Sequence, residues 1–208
     1  MKILMVGGGE RPSIELFNKY KEEVDYSIAL DSGLDVFLDF NSKPDYLLGD
    51  FDSTKLSKEK IEEFEFVKFP PEKDYTDSEL GLEKAIELGA TEIYLLAMTG
   101  GRLDHFMANI GLLKKAIEKD IKAYIIDDKN IITMTKESIV IENIGMKYVS
   151  FYAYGGNVEN LTLKGSKYEL NNYELKPFEG ICNSNEFQEE KIFVNFKSGT
   201  LIIIYSQD

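Results

Sequence analysis

The chain has 208 residues, enough for one large domain or two small ones. Apolar residues make up 43% and charged residues 29%, which excludes a disordered tail, and no stretch approaches the roughly 20 uncharged apolar residues of a membrane-spanning helix. The net charge of −13 repels phosphate backbones, so nucleic acid is a poor partner and metal ions or cationic small molecules are easier ones.

Lys2 to Val6 is an apolar run ending in Gly7-Gly8-Gly9, which predicts a strand followed by a tight turn. The N-terminus enters this strand at once, without the basic-then-apolar pattern of a secretory leader. Pro12 to Glu23 reads as a helix, with Pro12 suited to its first turn. Tyr26 to Leu30 predicts a second strand ending at Asp31-Ser32-Gly33, and Leu34 to Phe40 a short helix. Tyr46 to Leu48 predicts a third strand, ending at Gly49-Asp50. A helix over Lys58 to Phe64 and a strand over Glu65 to Phe69 follow. The clearest helix runs from Thr76 to Leu88, with Gly89 as its stop. Ile93 to Met98 is a strong strand. From Asp104 to Lys119, Phe106, Ile110, Leu113 and Ile117 repeat at helical spacing, and Ile121 to Ile126 closes the series as a strand. Strand and helix in turn predict a parallel sheet with helices packed on it.

Helical spacing disappears near residue 130. Ile131 to Thr135, Ser138 to Ile141, Tyr148 to Tyr154 and Leu161 to Leu163 read as short strands, and Ile192 to Phe196 with Leu201 to Tyr205 as a hairpin. The expected fold is therefore α/β: a parallel-sheet domain over 1–130, then a smaller all-β, sandwich-like domain over 131–208. The one cysteine, Cys182, cannot form an internal disulfide, which suits a reducing cytoplasm.

In an open parallel sheet, ligands bind at the carboxyl ends of the strands. Aspartates fall at those ends: Asp31 after the second strand, Asp50 and Asp52 after the third, Asp74 and Asp77 after the fourth, and Asp104 after the fifth. Carboxylates gathered on one rim repel each other unless a cation joins them, and hard oxygen ligands suit magnesium. Only two of the 24 basic residues are arginines, Arg11 and Arg102, and each sits beside a glycine cluster. A planar, forked donor beside a flexible turn suits phosphate. The pair Gly100-Gly101 lets backbone approach a ligand at the following helix N-terminus. Neither cluster matches a Walker A loop or the dinucleotide fingerprint. His105, the single histidine, reads as an acid, a base or a positioning group.

In combination, Asp31-Ser32-Gly33, Gly49-Asp50-Phe51-Asp52-Ser53, Lys73-Asp74-Tyr75-Thr76-Asp77 with Glu79, Gly100-Gly101-Arg102-Leu103-Asp104-His105 and Ser184-Asn185-Glu186-Phe187 resemble the bacterial thiamine pyrophosphokinases. Two departures are Ser32, where the family often has glycine, and Cys182-Asn183 before Ser184. The resemblance implies transfer of the pyrophosphoryl group of ATP to the thiamine hydroxyl. It implies that Asp50, Asp52 and Asp77 hold Mg2+ against the phosphates, with Asp74 and Thr76 supporting that loop. Arg102 would stabilise phosphate charge, and Asp31, Gly33, Gly100 and Gly101 would border the nucleotide. Asp104 would touch thiamine or orient Arg102, with His105 beside it. The resemblance also implies a homodimer, in which Ser184 and Asn185 reach thiamine across the interface. A magnesium-dependent phosphohydrolase and a non-catalytic nucleotide sensor are the alternatives from other classes.

Overall fold

Strands β1 (Lys2–Val6), β2 (Tyr26–Leu30) and β5 (Glu92–Leu96) are apolar at nearly every position, and each is buried at all but its first residue. Continuous burial of this kind needs cover on both faces, which a parallel sheet with crossover helices provides. The structure is a computed structural model and describes residues 1–49, 66–67 and 76–208. The expected helix over Lys58 to Phe64 lies outside these residues, as do Asp50, Asp52 and Asp74. The chain divides into two compact units, Met1–Asp128 and Lys129–Asp208.

In the first unit, the remaining elements are α1 (Ile14–Glu22), α2 (Gly33–Asp39), β3 (Tyr46–Leu48), β4 (Phe66–Val67), α3 (Asp77–Glu87), α4 (Leu103–Glu118) and β6 (Lys122–Ile126). The strands lie in the order β4-β3-β2-β1-β5-β6, all parallel. The chain steps outward from β1 to β4, then crosses back to place β5 on the other side of β1. This reversal between β1 and β5 is the topological switch point, where a ligand crevice is expected. Helices cover both faces. Tyr20 of α1 packs on Tyr94 on one face, and Gly81 of α3 lies against Met5 and Leu30 on the other.

Local chemistry sets the helix starts. Ser13, not Pro12, caps α1, since its hydroxyl accepts from Leu16 N–H at 3.3 Å. Ser13 is held in turn by Asp128, which accepts from its backbone N–H at 2.8 Å. Pro12 therefore precedes the helix instead of opening it. Strand β5 stops two residues short of Met98 because Ala97 turns to a left-handed φ of 53°.

The second unit contains β7 (Asn130–Thr135), β8 (Ile139–Glu142), β9 (Tyr148–Ala153), β10 (Val158–Lys164), β11 (Leu170–Leu175), β12 (Lys191–Asn195) and β13 (Leu201–Ser206). Strands β7, β13 and β9 run antiparallel in that order, and β11-β10-β12-β8 form a second antiparallel sheet. Val149, Phe151 and Ile203 from the first pack with Leu161, Leu163, Ile192 and Val194 from the second in one buried core. This is a sandwich, and its alternating strands follow the pattern such a core requires.

One expectation fails here, and one strand was not expected. Strands β12 and β13 are not a hairpin: β12 pairs with β10 and β8, and β13 with β7 and β9. The chain between them is a corner. Lys197 N–H donates to Glu159 O at 2.8 Å, and Gly199, at φ 113°, passes so close to Asn157 O that a Cβ would stand 2.6 Å from it. Strand β11 carries Asn171, Asn172 and Glu174 at exposed positions and only Leu175 fully buried, so its hydrophobic alternation is too weak to read.

Candidate active site

The carboxyl ends of β1, β2 and β5 meet the N-termini of α3 and α4 around a cavity of about 560 Å³. The glycines 7–9, Asp31, Ser32, Thr76, Asp77, Gly100, Gly101, Arg102 and His105 border it. It opens at the switch point that the strand order creates. The N-termini of α3 and α4 border this space, and the positive dipole end of each suits an anion. The acidic chain thus presents electropositive groups at one crevice.

The turn after β1 fits because it lacks side chains. A Cβ on Gly9 would stand 2.4 Å from Thr99 O, so the two loops could not approach as they do. Gly9 N–H donates to Ala97 O at 2.7 Å, and Glu10 N–H to Thr99 O at 2.7 Å. After Thr99, Gly100 and Gly101 take φ values of 73° and 64°, which carry the chain into α4 with Arg102 as its N-cap. Residues with a Cβ are strained at such angles.

Arg102 and Asp104 are largely exposed, and they pair by a fork. Nε donates to Asp104 Oδ1 at 3.1 Å and Nη2 to Oδ2 at 2.5 Å. The Arg102 hydrogen bond holds the Asp104 carboxyl down at about 2. In water such a pair adds little stability. Its effect is to orient the guanidinium, whose five N–H donors exceed what Asp104 accepts. Asp104 itself does not border the cavity. His105 does, and its backbone N–H donates to Asp104 Oδ1 at 3.0 Å.

Asp77 is the first residue of α3, and Thr76 is its N-cap. Thr76 Oγ1 accepts from Glu79 N–H at 3.2 Å, and Glu79 Oε2 accepts from Thr76 N–H at 2.9 Å. This reciprocal box fixes the turn that presents Asp77. Glu79 Oε1 also accepts from Lys115 on α4, which pushes the Glu79 pKa below its ordinary 4.5. A lowered carboxylate pKa stabilises the fold above the ordinary value, and the contribution is lost as pH falls through the lowered one. Glu79→Gln should keep the box and lose the charge. Its thermal midpoint should therefore lie below wild type at pH 7, by roughly 1–4 °C, with the gap closing in acid. A gap that persists unchanged in acid would show that the ion pair is not its cause.

Several expected residues stand elsewhere. Gly33 begins α2 against the β1 backbone, where a Cβ would meet Val6 O at 2.0 Å; it packs the fold and does not border the cavity. Arg11 pairs with Asp39 at the end of α2, so it is not turned to the cavity. In the second unit, Ser184 is exposed at a left-handed φ of 52°, with its N–H donating to Ser150 Oγ at 3.0 Å. Asn185, expected to reach a ligand, is 1% exposed. Its carboxamide is spent inside the loop, accepting from Tyr168 and Glu186 N–H and donating to Tyr168 O, each at 2.9 Å. Burial and three backbone bonds give it a loop-fixing role. Burial also pushes the Cys182 thiol up to about 11, which makes it inert.

Sequence reasoning missed Ser32, Ser78 and Asn109 at the cavity wall. Asn109 had a signal: it falls three residues after Phe106 and four before Leu113, a polar residue on the apolar face of α4.

Among the described residues, no three His, Cys, Asp or Glu side chains cluster as a metal centre, and two of the three expected ligands lie outside those residues. Within the described set, Asp31 and Asp77 carboxylates and the Thr76, Ser32 and Ser78 hydroxyls border the same space. These are hard oxygen donors, the kind that suits magnesium. Also among the described residues, no helix is long and apolar enough to cross a membrane.

Comparison with known proteins gives concordant matches. The family model "Thiamin pyrophosphokinase, catalytic domain" matches residues 17–125, and "Thiamin pyrophosphokinase, vitamin B1 binding domain" matches residues 131–201. Thiamine pyrophosphokinase of Bacillus subtilis (strain 168) is 35% identical over 211 residues, covering 99% of each chain. A crystal structure of thiamine pyrophosphokinase from Bacillus subtilis superposes with TM-score 0.88 at 33% identity over 100% of both chains. One from Geobacillus thermodenitrificans gives 0.85 at 31% identity, over 100% of this chain and 98% of that one.

Proposed function

Because the chain belongs to the thiamine pyrophosphokinase family and converts ATP and thiamine to thiamine diphosphate and AMP, we propose that the cavity at the β1/β5 switch point is where its ATP phosphates bind. The observation that carries this reading is the convergence of Arg102, Gly100-Gly101 and the N-termini of α3 and α4 on one space. The family reaction generally needs a divalent metal, and we assign magnesium. Asp77, with Asp50 and Asp52, would hold it, and Asp74 would support their loop. When bound, it neutralises phosphate charge.

The chain's own groups then divide the work. The thiamine hydroxyl oxygen attacks the β-phosphorus, and AMP leaves with the bridging oxygen. Such a transfer depends on alignment and charge stabilisation more than on covalent help. Arg102, aimed by Asp104, donates to phosphate oxygens. The Gly100-Gly101 turn, with no side chains to obstruct, lets the ligand reach the amides that open α4. Thr76 fixes the α3 turn, Asp31 borders the nucleotide, and His105 lines the entrance. Thiamine is cationic, and an acidic chain favours its approach.

We further propose a homodimer in which Ser184 of one chain serves thiamine at the other's cavity, with Asn185 holding that loop in shape. The lone cysteine suits a reducing compartment, and we place the enzyme in the cytoplasm. Subunit mixing tests the shared site. Asp77→Asn and Ser184→Trp homodimers should each be inactive. Mixed and reassembled, they should regain activity, because one of the two sites in each hybrid is then intact. No recovery in proven hybrids would place both residues at a site within one chain.

A further inference from the structure

Four successive carbonyls at the end of β5 are each claimed by another segment. Gly7 N–H donates to Leu96 O at 2.9 Å, Gly9 N–H to Ala97 O at 2.7 Å and Glu10 N–H to Thr99 O at 2.7 Å. The remaining one, Met98 O, accepts from a side chain: Asn109 Nδ2, at 2.9 Å. Between them, Ala97 sits at φ 53°, a conformation that costs a residue with a Cβ about 1–2 kcal/mol. Such a turn persists only where its surroundings over-determine it.

Asn109 stands where the helix pattern asks for an apolar residue. Its neighbours on α4, Ile110, Leu112 and Leu113, are core. Burying a carboxamide there costs free energy unless a hydrogen bond offsets it. The bond made is not to the core but to the turn from which Gly100, Gly101 and Arg102 depart. Asn109 lies two helical turns beyond Arg102, so it ties the body of α4 back to the end of β5. The loop between them is thereby closed at both ends.

We propose that Asn109 is a positioning residue for the transfer: by clasping Met98 O it locks the β5 turn and so fixes where the Arg102 guanidinium stands. This rests on the cavity being the phosphate site. Asn109 acts through Arg102, so its loss should lower kcat more than it raises KM for thiamine. A purely structural Asn109 would instead lower the melting temperature and leave kcat per folded molecule alone.

The decisive variant is Asn109→Asp, which keeps the shape and, when ionised, replaces a donor with an acceptor facing Met98 O. At pH 8 we expect kcat to fall by between about tenfold and a hundredfold, with KM for thiamine within about twofold. Protonation restores a donor, so its kcat relative to wild type should rise as pH falls. Asn109→Leu should lose kcat without that recovery. Asn109→Ser, which is too short to reach and leaves only a small void, covers the case where the first two fold poorly. Hydrogen exchange in the wild type and the folded variants should show amides of residues 99–103 exchanging at least about tenfold faster in the variants. Wild-type kcat in any folded variant, or unchanged exchange in that segment, overturns the proposal. Asp77→Asn is run alongside: if it too is fully active, the cavity reading has failed, whereas an inactive Asp77→Asn with an active Asn109→Leu sinks this inference alone.

Discussion

Asp77→Asn should reduce thiamine diphosphate formation by at least about 10³-fold, with the thermal midpoint within about 4 °C of wild type. The asymmetry follows from where Asp77 sits. It is the first residue of α3, half-buried, with its side chain at the cavity wall. Asparagine has the same shape and remains acceptable at a helix N-terminus. What disappears is one negative charge. For the helix that charge is worth roughly 0.3–1 kcal/mol against the dipole. For the proposed site, in which Asp77 helps to hold a divalent ion against a triphosphate, it removes one of the carboxylates assigned to the ion. The measurement is paired: AMP release with and without thiamine, and a melting curve on the same preparation. Wild-type rates in the variant would remove Asp77 from the metal site.

Arg102→Lys should lower kcat by at least about 100-fold while the fold is untouched. The Arg102 side chain is 71% exposed, so lysine meets no steric or burial penalty. Charge is conserved, which isolates geometry as the variable. The guanidinium donates to both Asp104 oxygens and keeps further N–H groups, which the proposed function gives to phosphate; an ammonium is a point charge that cannot serve both in fixed directions. Rate measurements at saturating ATP separate this from weaker binding. A lysine variant within threefold of wild type would show that charge alone suffices and that the fork is incidental.

Local patterns made much of the fold legible. Strands β1, β2 and β3 appear at the positions their apolar runs indicate, because a strand buried on both faces needs nothing but continuous hydrophobicity. The α4 stripe of Phe106, Ile110, Leu113 and Ile117 likewise declares its buried side. The errors share a cause. Residues 192–196 and 201–205 are both short, largely apolar runs, and such a run marks a strand but not the sheet it joins. The β12–β13 corner is decided by Gly199 and by pairing with Glu159, about 40 residues upstream.

The same division runs through the site. Residue chemistry by itself determined the types of group on offer: aspartates and small residues at strand ends, a forked cation beside two glycines, a threonine at the start of a helix. Those assignments depend on short-range geometry, which a few consecutive residues fully specify. Only the folded chain decided which groups share one space. It sent Arg11 to Asp39 and Gly33 to the β1 backbone, buried Asn185 within its loop, and brought the glycines 7–9 and Asn109 to the turn after β5. The physical reason is that the turn after β1 meets the end of β5 across about 90 residues, and that even the nearer clasp of Asn109 on Met98 is fixed by strand order and packing, neither of which is written in any local pattern.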